Sequence, residues 1–203
     1  DEDNVRFDIN TYHRMERSVA GLSASLIKDT TLDSQLEDTG LVFGRVDRQQ
    51  INAGPNWSYS LDERTSARLN YSYSDVQYNN AGGTPFVDFN THSGQASLQR
   101  VLDERAEASL SLSYSLSDND NKVETTNTNL QVGGSYQFSE TLSSSLFAGI
   151  RRTETDFLRG GFEFIFSGDQ IIGIIPRTEN VSDSSTGFTF SGDITKIFLR
   201  GES

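Results

Sequence analysis

The sequence predicts an all-β protein: an antiparallel transmembrane β-barrel built as a meander of hairpins. Three observations carry this prediction: alternation of apolar and polar residues, short charged turns that recur along the chain, and an alternation of short and long connections. In residues 51–61 and 67–73 the apolar side chains take the odd positions and polar side chains lie between them, which is the period of a strand with one apolar face. No run approaches the ~20 apolar residues of a spanning helix, so a helical membrane protein is excluded.

The turn at Asp62-Glu63-Arg64 fixes the register of the first clear hairpin. Residues that face each other in an antiparallel pair lie on the same side of the sheet, so only a three-residue turn keeps both apolar sets together. This places Trp57 opposite Leu69. Equivalent turns with glutamate at 104 and 140 predict that Leu98 faces Leu110 and that Val132 faces Ala148, an internal repeat of hairpins.

Taken in order, the chain reads as nine strands. They cover residues 3–13, 18–28, 50–61, 65–78, 92–102, 106–117, 125–138, 142–153 and 187–198. The connections near 15, 63, 104 and 140 are short, whereas those at 29–49, 79–91, 117–124 and 154–186 are longer and polar. Short periplasmic turns and long extracellular loops are typical of bacterial outer-membrane barrels. Because these barrels usually have an even number of strands, we expect residues 1–203 to be one domain and a fragment of a larger barrel.

The two faces of the predicted sheet differ in chemistry. One face carries Ala, Leu and aromatic residues and suits lipid, while the other carries Ser, Asn, Gln, Gly and Arg and suits a wet interior. A soluble β-sandwich would need larger residues on its apolar face. A soluble β-sandwich or β-solenoid is the alternative to the membrane barrel. Candidates to line the lumen are Arg68, Asn70, Gln131 and Arg151, and Arg45 is expected on the same face. The alternative for the arginines is an internal ion pair with Glu107 or Asp193. Candidates for aromatic girdles at the two bilayer interfaces, with ordinary cross-strand aromatic pairing as the alternative, are Trp57, Tyr59, Tyr71, Tyr73, Tyr114, Tyr136, Phe138 and Phe198.

Composition and motifs exclude several kinds of chemistry. The net charge of −12 argues against nucleic acid as a partner, and the absence of cysteine removes thiol catalysis and thiolate metal sites. Only His13 and His92 are available for acid–base work. His92 and Ser93 are neighbours on a strand and point to opposite faces, so they cannot pair directly as base and nucleophile. We therefore predict no enzymatic activity, no cofactor and no metal site.

Three segments carry a resemblance to a known family: LDSQLEDTG at 32–40, NWSYSLDERTSARLNYSYSDVQY at 56–78 and RRTETDF at 151–157. They resemble the outer-membrane β-barrel proteins encoded with exopolysaccharide and exosortase (PEP-CTERM-type) sorting systems, in which a W-x-Y-x-L-[ST]-E-R-T hairpin recurs. Asp62 stands where the family usually has Ser or Thr. The resemblance implies a barrel in the outer membrane of the Gram-negative cell envelope, in contact with the lipid bilayer and lipopolysaccharide.

Two functional classes follow from these observations. The first is a conduit, either porin-like or for export of a surface polymer. The second is a structural barrel that sheathes or anchors another envelope protein without a solute pathway. Residues 154–186 depart from the repeat, and pairing of 162–166 with 171–175 is expected there. This segment is expected as an extracellular hairpin, with an inward constriction or a docking site as alternatives.

Overall fold

The computed structural model describes residues 4–30, 46–79, 86–167 and 170–197, and these ranges contain nine strands. Every strand pairs antiparallel with its neighbour in sequence, in the order β1 to β9, as the meander prediction requires. In the described part of the chain no helix is long and apolar enough to cross a bilayer. The strands are β1 (Val5–Arg14), β2 (Ser18–Thr30), β3 (Asp47–Ser60), β4 (Thr65–Asn79), β5 (Phe89–Val101), β6 (Ala106–Asn119), β7 (Glu124–Ser139), β8 (Leu142–Ser167) and β9 (Gln170–Lys196).

The predicted registers are confirmed. Trp57 faces Leu69, Leu98 faces Leu110 and Val132 faces Ala148. The first of these hairpins closes with the three-residue turn at 62–64, since the backbone N–H of Leu61 donates to the carbonyl of Thr65 at 2.9 Å.

An aspartate at the first turn position stabilises two of the turns. Asp62 Oδ1 accepts a hydrogen bond from the backbone N–H of Arg64 at 2.7 Å, and Asp103 Oδ1 accepts one from Arg105 at 2.7 Å. The bond from Arg64 is the main cause that holds the pKa of Asp62 below its usual value. Aspartate favours such positions because its carboxylate bonds the backbone two residues ahead.

The third turn differs in detail from the prediction. Ser139 pairs with Leu142, so only Glu140 and Thr141 form the turn, and the register shifts between Gln137 and Ser139. The shift is a β-bulge, in which one extra residue, Phe138, lies on one strand. The bulge offsets the shorter turn, and for this reason Val132 still faces Ala148.

Two predicted long connections are corrected by the structure. The segment 117–124 is a tight turn at 120–123, where Lys122 adopts a positive φ of 58° and its backbone N–H donates to the Asn119 carbonyl at 2.8 Å. Within 154–186 the described residues 154–167 and 170–186 are strand, because β8 (to Ser167) and β9 (from Gln170) pair along their length. The expected pairing is present, with Phe162 opposite Pro176 and Phe164 opposite Ile174. Of the predicted connections 29–49 and 79–91, residues 31–45 and 80–85 lie outside the described residues. Their ends are corrected, because 29–30, 47–49, 79 and 89–91 are strand.

The sheet has almost no apolar core of its own. Among the apolar residues that the structure describes, only Val46 and Val76 are buried, with 3% and 4% of their surface exposed. The accessible surface of the chain is 15083 Å², whereas a compact soluble protein of 22.5 kDa exposes about 9,500 Å². A soluble sandwich would bury its apolar face against a second sheet. This sheet leaves that face free for another apolar phase.

Large apolar side chains protrude from one face across the whole sheet. Leu110 on β6 is 47% exposed and Phe190 on β9 is 76% exposed. The serines that alternate with leucines on β6, such as Ser111 and Ser113, are half-buried. They are therefore less exposed than Leu110 and Leu112 beside them. The polar face is therefore the inner, concave face, and the apolar face is the outer one.

Within the described residues the sheet is open. β1 and β9 are its two edges, and each has a strand partner on one side only. An open sheet of nine strands agrees with the expectation of a barrel wall that is incomplete in this chain.

Candidate functional site

The polar face brings the four candidate lumen residues into two adjacent rows that run across the strands. Asn70 and Arg151 belong to one row, which crosses the sheet through Gln95, Ser113 and Asn129. Arg68 and Gln131 belong to the next row, which crosses through Ser97 and Ser111. Because side chains of one face recur every second residue, the rows are only about 7 Å apart. We call this surface the polar band.

Side-chain hydrogen bonds connect neighbouring strands on the same face. Asn52 Nδ2 donates to Ser25 Oγ at 2.9 Å, and Thr153 Oγ1 donates to Asn127 Oδ1 at 2.7 Å. A hydroxyl pair, Thr91 and Ser117, lies 3.2 Å apart. Small hydroxyl and amide groups thus coat the inner face without filling the space above it.

The two arginines of the polar band have no carboxylate within 4.0 Å among the described residues. The sequence left open an internal ion pair between an arginine and Glu107 or Asp193, and no such pair is present in the described chain. Glu107 instead accepts a hydrogen bond from Gln99 Nε2 at 2.5 Å. Arg68 and Arg151 are exposed, so both present positive charge to whatever occupies the concave side. Arg45 lies outside the described residues.

Two buried oxygens on this face lack a hydrogen-bond partner: Asn129 Oδ1, which belongs to the polar band, and Thr189 Oγ1 on β9. A buried acceptor without a partner is costly, and such groups in native proteins are usually satisfied by water. An ordered water molecule or a polar group of a neighbouring molecule would satisfy each of them.

A charged cluster that the sequence analysis missed lies where β2, β3 and β4 end, away from the short turns. Arg48 forms a two-pronged ion pair with Asp29, at 2.8 and 2.5 Å, and both side chains are mostly buried. Beside them Tyr78 stacks on Phe86, with ring centroids 5.1 Å apart. Asp88 Oδ1 accepts a hydrogen bond from the Tyr78 backbone N–H at 2.7 Å. Asp29 and Arg48 both fall within the predicted connection 29–49, and a connection of that length leaves their register unpredictable from sequence.

The candidate girdle residues that the structure describes lie on the outer face in two groups. Near the short turns, Trp57 and Tyr59 have ring centroids 5.6 Å apart, and Tyr136 and Phe138 have centroids 5.0 Å apart. The second group, toward the other end of the strands, comprises Tyr71, Tyr73 and Tyr114. Placement of both groups at bilayer interfaces is still a prediction, and Phe198 lies outside the described residues.

His92, Ser93 and Asp88 are close in sequence but are not assembled into a catalytic triad. His92 lies on the outer face, where Tyr71 Oη and His92 Nδ1 are 2.7 Å apart. Ser93 faces inward opposite Ser72 and Ser115, and Asp88 is engaged with the Tyr78 backbone. The described residues contain no group of three or more His, Asp or Glu side chains placed to hold a metal ion.

Comparison with known proteins gives a match of fold. The sequence matches no protein-family model and no curated protein. OmpT, an outer membrane protein of Vibrio cholerae folded in vitro, matches with a TM-score of 0.57 and 8% identity, over 95% of this chain and 55% of its own. OmpT expressed in the outer membrane matches with a TM-score of 0.55 and 7% identity, over 93% of this chain and 56% of its own. The chain spans about half the length of the solved structures it matches.

These findings show an antiparallel outer-membrane β-barrel fold, the fold of proteins that lie in the bacterial outer membrane. Contact of this chain with the lipid bilayer and lipopolysaccharide is what that fold implies. The same findings also correct the prediction that the chain is not an enzyme. The matched structures are only 8% and 7% identical in sequence to this chain, so the likeness shows the fold and does not show an activity. Enzymatic status is unresolved.

Proposed function

We propose that the chain forms part of the wall of a porin-like conduit in the outer membrane, through which polar solutes cross. The observation that carries this proposal is the polar band, a strip of small hydroxyl and amide side chains interrupted by the two arginines without carboxylate partners. Its buried Asn129 Oδ1 has no partner within the described chain, and an ordered water molecule would satisfy it.

Width of the lumen follows from the number of strands. Nine strands match 55% of OmpT, and at the same density a complete wall would contain about sixteen strands, a size that leaves an aqueous channel. In this proposal further strands pair with the free edges of β1 and β9 and close the barrel. The resemblance to the exopolysaccharide-associated barrels supports a surface polymer as one such solute.

Ion selectivity provides the test of the conduit. The whole protein, reconstituted in a planar bilayer, should conduct ions and should prefer anions where Arg68 and Arg151 line the path. Arg68→Gln combined with Arg151→Gln should shift the reversal potential in a KCl gradient toward cation preference. The matched control is Arg100→Gln, because Arg100 faces outward opposite Thr65 and Ala108, and it should leave the reversal potential unchanged. Absence of any current from correctly folded protein would refute the conduit.

The second candidate function is a structural barrel that sheathes or anchors an envelope protein. A polar segment of a partner would satisfy the unpartnered oxygens of Asn129 and Thr189 as well as water would, and this favours the structural barrel. The two functions differ in ion flow, since a filled lumen conducts little. Copurification of a partner with the wild-type protein, together with absence of conductance, is the result that would select the sheath.

Shortening the long β8–β9 ribbon tests whether its tip is an outer hairpin or an inward constriction. β7 pairs with β8 only as far as Asp156, so beyond that residue the ribbon is two-stranded. Replacement of 160–178 by Asn-Gly, a favoured hairpin turn, joins Arg159 to Glu179, which face each other in the wild type. We expect the shortened protein to fold and to conduct as the wild type does. A clear rise in conductance would instead show that the ribbon folds inward as a constriction.

A further inference from the structure

A groove of about 680 Å³ lies on the outer face between β3 and β6. Its walls are aromatic and its floor is made of small residues, and its lining is almost wholly apolar. We call it the Gly94 groove and define it by Pro55, Trp57, Tyr71, Gly94, Ala96 and Tyr114. Its volume is within the range of ligand sites in proteins.

Gly94 creates the groove through the register of three strands. It faces Tyr71 on β4 and Tyr114 on β6, so the row has a large ring on each side and no side chain between them. A Cβ added at Gly94 would meet nothing within 4 Å. The two tyrosine backbones are two strand spacings apart, about 10 Å, which leaves a slot wide enough for one hydrocarbon chain. Ala96, next to Gly94 on the same face, extends the slot toward the short turns.

We propose that the Gly94 groove binds one acyl chain of lipopolysaccharide, the acylated and phosphorylated glycolipid of the outer leaflet. The groove is continuous with the lipid-facing surface that surrounds it, so its occupant comes from the bilayer. A slot with rigid aromatic walls holds a chain in one place, whereas a flat apolar surface does not. The inference depends on the outer-membrane location alone and holds whether or not the barrel conducts solutes.

The polar end of the groove identifies the leaflet. Tyr71 and Tyr114 lie at the end away from the short turns, and Tyr71 Oη is hydrogen-bonded to His92 one row farther out. Short turns of outer-membrane barrels face the periplasm, so this end faces the outer leaflet. The row of Gly94 continues through Thr128 to Arg152 on β8, an exposed cation that also pairs with Glu154. Because Glu154 neutralises Arg152, the leaflet, and not this charge, identifies lipopolysaccharide as the source of the chain.

Trp57 provides the readout, because it lines the groove and is the only tryptophan in the 203 residues. Whole protein refolded in detergent is titrated with phosphatidylcholine that carries brominated acyl chains, and quenching of Trp57 fluorescence is measured. Unlabelled lipopolysaccharide or unlabelled phosphatidylethanolamine is then added as competitor. We expect saturable quenching that lipopolysaccharide reverses at far lower concentration than phosphatidylethanolamine.

Two variants fill the groove and one serves as the matched control. Gly94→Leu should weaken the apparent affinity about tenfold, the effect of lost contact with about two methylene groups, and Ala96→Leu should act in the same direction. Ala148→Leu, on the outer face between Val132 and Phe190 and outside the groove, should leave the affinity unchanged. Circular dichroism checks that each variant is folded.

Two results would overturn the proposal. Equal displacement by phosphatidylethanolamine would show that the groove takes phospholipid chains without preference for lipopolysaccharide. Quenching that does not saturate, and that is the same in Gly94→Leu and Ala96→Leu as in the wild type, would show that Trp57 contacts bulk lipid and that the groove is not a binding site. Conductance of Gly94→Leu should equal that of the wild type, so a failed lipid result leaves the conduit proposal intact.

Discussion

Substitution of Leu110 by arginine tests which face of the sheet meets lipid. Leu110 is on β6 between Leu98 and Val132. It is midway between Tyr114 and Ala106, which faces Tyr136. Four residues at ~3.3 Å each, on a strand tilted by ~40°, span about 10 Å along the bilayer normal. Leu110 is therefore near the centre of a ~25 Å apolar band.

The expected cost follows from this depth. Arginine on the lipid face at the midplane destabilises an outer-membrane barrel by ~2–4 kcal/mol, falling to ~0–1 kcal/mol near the interfaces. Leu110→Arg should show the full effect, and Thr128→Arg, opposite Tyr114, should show the interfacial one. Ser111→Arg, one residue away on the polar face, should change stability by less than ~0.5 kcal/mol.

Reversible unfolding by urea in lipid vesicles measures these differences, with the intact protein and tryptophan fluorescence as the signal. The free energy of unfolding should rank Leu110→Arg lowest, then Thr128→Arg, with Ser111→Arg close to wild type. Equal losses for Leu110→Arg and Ser111→Arg, or a larger loss for Ser111→Arg, would contradict the assignment of the outer face to lipid.

Two further predictions concern register and close packing. Cysteines introduced at Trp57 and Leu69, which face each other, should form a disulfide readily, whereas cysteines at Trp57 and Arg68 should not. Gel mobility under non-reducing conditions measures the difference. The reverse pattern would contradict the register set by the three-residue turn. Gly134→Ala should destabilise by about 1–3 kcal/mol, because its Cβ would lie 2.3 Å from the Glu107 carbonyl oxygen. Gly94→Ala, with open space around it, should be neutral in the same urea experiment, and similar losses at both glycines would show that the strand spacing at Gly134 is wrong.

Registers across the short turns could be predicted because two constraints act together there. Alternation decides which face each side chain takes, and a turn of three residues allows only one pairing that keeps the faces consistent. Trp57 opposite Leu69 and Leu98 opposite Leu110 follow from these two facts alone. The aspartates at 62 and 103 then stabilise turns whose length was already determined.

Features across long connections could not be predicted in this way. The Asp29–Arg48 ion pair depends on the register between β2 and β3, which residues 31–46 leave free in sequence. The turn at 120–123 reads as a loop because its residues are polar, yet polar residues also favour tight turns. Residues 154–186 read as a connection because their polar stretches, such as Ser182 to Ser185, lack the apolar face that alternation detects.

The Gly94 groove shows what alternation misses at the level of shape. The pattern assigns Gly94 to the outer face but treats it as one more small residue. Only the alignment of three strands reveals that it is flanked by Tyr71 and Tyr114 on both sides, and this alignment depends on β4, β5 and β6 together.

The bulge at Phe138 has a consequence for how the chain tolerates insertions and deletions. Side chains alternate with period two, so one residue gained or lost between β7 and β8 would turn Ile150, Phe188 and every outer residue after them toward the concave side. The extra residue at Phe138 absorbs such a one-residue difference before it reaches β8. A change of one residue at this turn therefore reverses the face that every later side chain takes, and the bulge at Phe138 restores the original faces.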